Sequence, residues 1–254
     1  MQYRTRGIGV ELSPYVDLLD KISIKEFASM IDHTLLKPQA SFKELEKYIN
    51  DVRQCGFACI VVPPSLVEKA QEIAGGTVRI ASVVGFPLGN TTTKIKVLEA
   101  RELAASRVSE IDMVMNINFL KSGFLNYVAK DIEDVVKESK RLGVSVVKVI
   151  VETGLLTDEE KSIATELVVK AGADYVKTST GFLGTGATVH DVALLYKASK
   201  GRVKVKASGG IRHALDALAL IAAGASRIGT SAGDVIYEEF VKLKESSSLR
   251  PSTY

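Results

Sequence analysis

"VSVVKVIVETGLLTDEEKSIATELVVKAGADYVKTS", residues 144 to 179, contains one complete repeat of the pattern on which this chain is built. Its first nine residues, 144–152, are rich in valine and isoleucine and predict a buried strand. Thr157, followed three residues later by Glu160, makes a capping box that opens a helix. Gly172 ends that helix, and "DYVKTS" (174–179) returns as a second strand. A strand, a crossover helix and another strand form a βαβ unit, the usual link between parallel strands.

The unit recurs along the whole chain. Further strands are expected at 30–36, 57–62, 79–84, 110–117, 202–207 and 226–231, each followed by a helical pattern. Ser41 with Glu44 and Thr188 with Asp191 mark two more helix starts, and Gly56, Gly143, Gly201 and Gly224 mark helix ends. Eight units of roughly 25–35 residues predict an α/β fold, a (β/α)8 TIM barrel, with an additional N-terminal helix opened by Ser13-Pro14. A doubly wound open sheet alternates in the same way. It would carry a Gly-x-Gly-x-x-Gly turn after its first strand, and neither that fingerprint nor a P-loop occurs. The expected organisation is one barrel domain over 1–254, with an extension and helix in 1–29 and a mobile tail at 246–254.

Composition narrows the function classes. Of the 254 residues 46% are hydrophobic, and 33 basic against 30 acidic side chains leave a net charge of +3. That excludes the concentrated basic stripe of a nucleic-acid binder. No apolar run has the length of a membrane span, so no membrane partner is expected. Cys55 and Cys59 have no second pair with which to build a zinc site and read as reduced thiols of a cytoplasmic protein. His33, His190 and His213 lack metal-ligand spacing, so neither a metal nor another cofactor is expected.

Strand parity gives the first chemical signal, because alternate residues share a face. In "EIDMVMNI" (110–117) the apolar face belongs against the helices, which turns Asp112 into the barrel. The same argument turns Lys148 with Glu152, Lys177, Lys204 and Lys206 inward, and Asp32 and Thr34 of the first strand join them as candidate substrate-binding residues. One Lys–Asp pair, taken alone, reads better as a structural ion pair than as a site. Several charges converging where branched aliphatics are the rule point to an active site at the C-terminal strand ends. A lysine crowded by another cation and removed from water loses its proton more easily, and the neutral amine can attack a carbonyl. Lys206 lies about 6.6 Å nearer the mouth than Lys204 and is the expected neighbour of Lys177, with Lys204 at the floor.

Two turns suggest an anion seat. "KASGGIRHA" runs through Ser208, Gly209 and Gly210 into a helix, and "RIGTSAGD" does so through Gly229, Thr230 and Ser231. Glycine turns at helix starts offer backbone N–H groups to phosphate, at the two loops where this fold usually seats it. Thr180 and Gly181 of "TSTG" are placed to close the seat. As an alternative these are ordinary turns.

The motifs "IDHTLLKP", "VVGFPLGN", "EIDMVMNI", "VKVIVETG", "YVKTSTGF", "VKASGGIR" and "RIGTSAG" occur in this order, and together they resemble the deoxyribose-phosphate aldolase family over about residues 25 to 240. The resemblance implies a cofactor-free class I aldolase that interconverts 2-deoxy-D-ribose 5-phosphate with D-glyceraldehyde 3-phosphate and acetaldehyde, in deoxyribonucleoside catabolism. It further implies a homo-oligomer, dimer or tetramer, in the cytoplasm. By the resemblance Lys177 forms the Schiff base, Asp112 and Lys206 transfer protons, and the glycine turns hold phosphate. Phe182 stands where some members have lysine, and Ala232 where some have a second serine. Lys148 joins the catalytic set by its inward parity. The final "SSSLRPSTY" ends on Tyr254, which an extended tail of nine residues, at most about 30 Å long, can bring to a barrel mouth as a proton-carrying lid.

Overall fold

Eight short parallel strands close into a barrel in a computed structural model that describes residues 18–248. They are β1 (Ile31–Thr34), β2 (Cys59–Val61), β3 (Ile80–Val84), β4 (Glu110–Val114), β5 (Val146–Ile150), β6 (Tyr175–Lys177), β7 (Lys204–Ser208) and β8 (Ala225–Thr230). Each pairs with the next in sequence, and β8 pairs with β1. Helices α1 (Ile24–Ser29), α2 (Phe42–Cys55), α3 (Val67–Ala74), α4 (Thr93–Ala105), α5 (Ile117–Lys121) and α6 (Leu125–Arg141) accompany the first half of the chain. Helices α7 (Asp158–Lys170), α8 (Val189–Ser199), α9 (Ala214–Ala222) and α10 (Gly233–Ser248) follow in the second. Every strand expected from the sequence is present; six are trimmed at one or both ends, β7 starts later but runs on to Ser208, and β8 is displaced by one residue.

The local signals act as their chemistry requires. The Ser41 and Thr157 hydroxyls each accept the N–H three residues on, while Glu44 and Glu160 accept the N–H of the capping residue. The Thr188 hydroxyl accepts the N–H of Asp191. Gly56 ends α2 in the left-handed region, with φ 76°. An unanticipated capping box, Ser23 with Glu26, starts α1, whose Phe27 ring stacks at 3.8 Å on Phe240 of α10.

Two boundaries differ most from expectation. The strand expected at 110–117 stops at Val114, because the Asn116 side chain accepts the N–H of Phe119 and turns the next residues into α5. Helix α10 continues through Ser248, past the start expected for the tail. Tyr254 lies outside the described residues, as does Ser13-Pro14; residues 18–21 are helical.

Two apolar layers result. The larger lies between strands and helices and takes the outward faces, among them Ile111 and Met113 of β4, Val147 and Val149 of β5, and Val176 of β6. His33 points outward and is fully buried against α2, stacked on Tyr48 at 4.1 Å. The smaller layer fills one quadrant of the barrel interior with Cys59 and Val61 of β2 and Ala81 and Val83 of β3. Charged side chains occupy much of what remains.

Candidate active site

Strands β4 to β8 and β1 place seven buried charged groups in one connected network. The Asp112 carboxylate accepts from three ammonium groups: Lys148 at 2.8 Å, Lys177 at 2.8 Å and Lys206 at 2.7 Å. Lys206 also meets Asp32 at 2.6 Å, and Lys148 meets Glu110 at 2.5 Å. Arg227 closes the circuit, reaching Asp32 at 2.6 Å and Glu110 at 2.9 Å. Strand register explains the proximity, since Asp112 lies beside Lys148 and Lys177 beside Lys206.

Four cations here face three carboxylates, and their partners are unequally shared. Lys148 has Asp112, Asp32 and Glu110 within 4 Å. Burial pulls its proton affinity down, but the three carboxylates outweigh burial and hold it well above the usual lysine value. Lys206 is likewise raised against burial by Asp112 and Asp32. Lys177 has Asp112 alone, shared with two competitors. Burial first, and then the charges of Lys206 and Lys148, overcome Asp112 and push Lys177 down to about 8. Burial, rather than Lys206, is thus the main cause of the shift expected from the sequence. Asp112 is itself held far below the ordinary carboxylate range: burial opposes this, but the three lysines prevail. Lys177 is therefore the amine most easily made neutral.

Lys177 also forms the floor of a cavity of about 260 Å³ at the C-terminal ends of the strands. Ten residues expected at the site line it: Lys177, Thr34, Thr180, Gly181, Ser208, Gly209, Gly210, Gly229, Thr230 and Ser231. Positive φ at Gly181, Gly209 and Gly210 gives these turns their shape. A Cβ at Gly209 would lie 2.9 Å from the Gly186 Cα, so only glycine fits there. Among the described residues, no protein acceptor takes the N–H of Gly181, Gly209, Gly210 or Ser231. That wall suits an anion.

Asp32 is a correction. The sequence places it against substrate, but it is fully buried beneath the cavity, held by Lys206 and Arg227. Lys148 is sealed in the same layer. Lys204 stays exposed, 5.7 Å from the Tyr175 ring centre. Lys37, Tyr48 and Arg212 line the cavity and were not anticipated. Strand parity carries no information about them, since they lie on a loop, a helix and a turn. Arg227, Glu110 and Glu152 are likewise functional candidates that the sequence reading left without a role.

Asp32, Cys59 and Glu110 cluster closely enough to suggest metal ligands. Their carboxylates already hold Arg227 and Lys148, and the Cys59 thiol donates to Asp32, its ionisation disfavoured chiefly by burial. This donor set is saturated by cationic side chains and does not suit a metal. A second cluster, Asp158 with His190 and Asp191, binds Lys161 through both aspartates.

A model of the DeoC/LacD family aldolases matches residues 27–239 of the chain. A deoxyribose-phosphate aldolase of Thermoanaerobacter sp. (strain X514) is 53% identical over 220 residues, covering 86% of this chain and 99% of its own. The chain belongs to the DeoC/LacD aldolase family. Among solved structures the aldolase resembles QR15, an aldolase, with a TM-score of 0.82 and 41% identity, over 89% of this chain and 99% of that one. It also resembles the deoxyribose phosphate aldolase of Aeropyrum pernix, described as tetrameric, with a TM-score of 0.84 and 35% identity over 91% and 98%.

The charge network of the aldolase has a consequence for pH. Replacing Lys206 by leucine (Lys206→Leu) removes a cation and leaves Asp112 shared by fewer amines, and both changes raise the proton affinity of Lys177. The alkaline rise of the pH–rate profile is expected to move upward from about pH 8. An unchanged profile would show that the two amines do not interact. Stability has its own sign. An unfolded lysine stays protonated to about 10.4, whereas folded Lys177 releases its proton near 8. Between these values the unfolded chain binds more protons, so this group makes stability rise with pH across that window.

Proposed function

We propose that this aldolase reversibly cleaves 2-deoxy-D-ribose 5-phosphate to D-glyceraldehyde 3-phosphate and acetaldehyde, through a Schiff base on Lys177. One observation carries the reading: a buried lysine on a cavity floor, its amine pushed down to about 8 and held 2.8 Å from an ionised Asp112. The neutral Lys177 amine adds to the aldehyde carbon of the open-chain sugar, and loss of water gives a protonated imine. The C3 hydroxyl then gives up its proton and the C2–C3 bond breaks, its electron pair moving toward the imine nitrogen. D-Glyceraldehyde 3-phosphate leaves, and an enamine remains on Lys177. Protonation at C2 and hydrolysis of the imine release acetaldehyde and restore the amine.

Asp112 and Lys206 are the groups proposed to move these protons, since Asp112 holds the Lys177 amine at 2.8 Å and the Lys206 amine at 2.7 Å on the same carboxylate oxygen. The unbonded N–H groups of the glycine turns, with Arg212, support a phosphate seat opposite. The tetrameric Aeropyrum pernix relative supports a homo-oligomeric assembly, and the two free thiols support a cytoplasmic setting.

Borohydride reduction in the presence of acetaldehyde tests the reaction. A stable two-carbon adduct is expected on the peptide that contains Lys177, located by mass spectrometry. Exhaustive chelation is expected to leave the cleavage rate unchanged, because amine chemistry needs no Lewis acid. An adduct on another lysine, or a rate lost to chelator and restored by a divalent metal, contradicts the mechanism.

A further inference from the structure

At the end of β5 the chain turns on Glu152, whose backbone adopts φ 56° and ψ 66°. This left-handed conformation costs a residue other than glycine on the order of 1–2 kcal/mol. The side chain adds a second cost, because its carboxyl group is fully buried and Oε1 has no hydrogen-bond partner among the described residues. Two unfavourable terms on one residue at the rim of an active site call for a compensating role.

The other oxygen shows what that role is. Oε2 accepts both donors of Thr180, the N–H at 3.0 Å and the hydroxyl at 2.6 Å. The Thr180 hydroxyl in turn accepts the N–H of Phe182 at 3.1 Å. Next to Glu152, the Thr153 N–H donates to the carbonyl of Thr178. The end of β5 thus grips the turn 178–182 at several points. That turn forms one wall of the cavity, and Gly181 lies close against Gly209 of the opposite wall. Because both donors of Thr180 are engaged by Glu152, Thr180 does not offer them to an anion. The unbonded N–H groups of Gly181, Gly209 and Gly210 remain, and the separation of the two walls sets how well they converge.

We propose that Glu152 is a positioning residue: through Thr180 it fixes the turn 178–182 against Gly209 and so sets the preference for a phosphorylated over an unphosphorylated sugar. The inference rests on the reading that these turns seat the phosphate. Its test compares kcat and KM for 2-deoxy-D-ribose 5-phosphate and for 2-deoxy-D-ribose in the parent, Glu152→Gln, Glu152→Gly and Thr180→Val. Glutamine keeps an acceptor for both Thr180 donors, whereas glycine relieves the backbone strain but removes the acceptor. In Glu152→Gly, which loses both hydrogen bonds to Thr180, the ratio of kcat/KM for the two sugars is expected to fall about tenfold, with the change in KM. Glu152→Gln is expected to keep the parental ratio within about twofold, and Thr180→Val to lose part of it.

A Glu152→Gly enzyme with the parental ratio overturns the inference. So does a Glu152→Gln enzyme that loses kcat on both sugars as severely as Glu152→Gly, since the carboxyl group would then act on the reacting atoms. If Glu152→Gly does not fold, as judged by its melting transition, Thr180→Val decides by the same ratio: the parental value overturns the inference and a reduced one supports it. A parent with no preference for the phosphorylated sugar overturns the phosphate reading itself. A parent that has the preference, with a glycine variant that keeps it, overturns only the role of Glu152.

Discussion

Lys177→Arg is expected to lower the cleavage rate by at least about 10³-fold and to abolish the borohydride adduct. The substitution separates charge from nucleophilicity. Arginine can still place a cation beside Asp112, so the ion pair at 2.8 Å has a substitute and the fold keeps its counter-charge. Its guanidinium does not deprotonate at any working pH, however, and offers no lone pair to a carbonyl carbon. Lysine at this position does the reverse, because burial and two neighbouring amines push its proton off near pH 8. Cleavage of 2-deoxy-D-ribose 5-phosphate and mass spectrometry of the reduced protein give independent readings. Turnover within tenfold of the parent, with no adduct, would exclude Lys177 as the nucleophile.

Asp112→Asn should give the second largest effect, on a different step. The carboxylate balances three buried ammonium groups, and an amide of the same shape balances none. Removing one partner of a buried pair costs about 3–5 kcal/mol, so the melting temperature should drop by roughly 10 °C. The imine does not require this carboxylate, because losing the charge that now favours protonated Lys177 makes the amine more readily neutral. Borohydride trapping with acetaldehyde should therefore persist. Proton movement at C2 should suffer, lowering kcat and deuterium exchange into the acetaldehyde methyl group together by about 10²–10³-fold. Exchange at the parental rate would remove Asp112 from the proton path. A loss of trapping would move its role to imine formation.

The two proposals for Lys177 and Asp112 draw on different properties of one network, and the variants keep them apart. Lys177→Arg removes the nucleophile and leaves the charge, while Asp112→Asn removes the charge and leaves the nucleophile. Lys206→Leu leaves both groups in place, and its effect on the proton affinity of Lys177 is read from the position of the pH profile rather than from its height.

The barrel was legible in the sequence because its signals are local. Capping boxes at Ser41 and Thr157 and the glycine at position 56 act within four residues, and strand parity turned Asp112, Lys148, Lys177 and Lys206 inward by counting alternate positions. The glycine turns after β7 and β8 were legible for the same reason. What the sequence did not determine is which amine becomes neutral. That depends on how many carboxylates surround each lysine, and Asp32 and Glu110 reach Lys148 and Lys206 only after the barrel closes. Arg227 and Asp32 are 195 residues apart in the chain yet 2.6 Å apart in the fold. Asp32 shared the inward parity of a substrate-facing residue, and only closure buried it beneath the cavity. Glu152 was placed on the inward face, but its grip on Thr180 depends on the path of a neighbouring strand end. Periodicity is set by covalent geometry one residue at a time. Proton affinity is set by burial and by charges summed through space, so only the tertiary structure decided it.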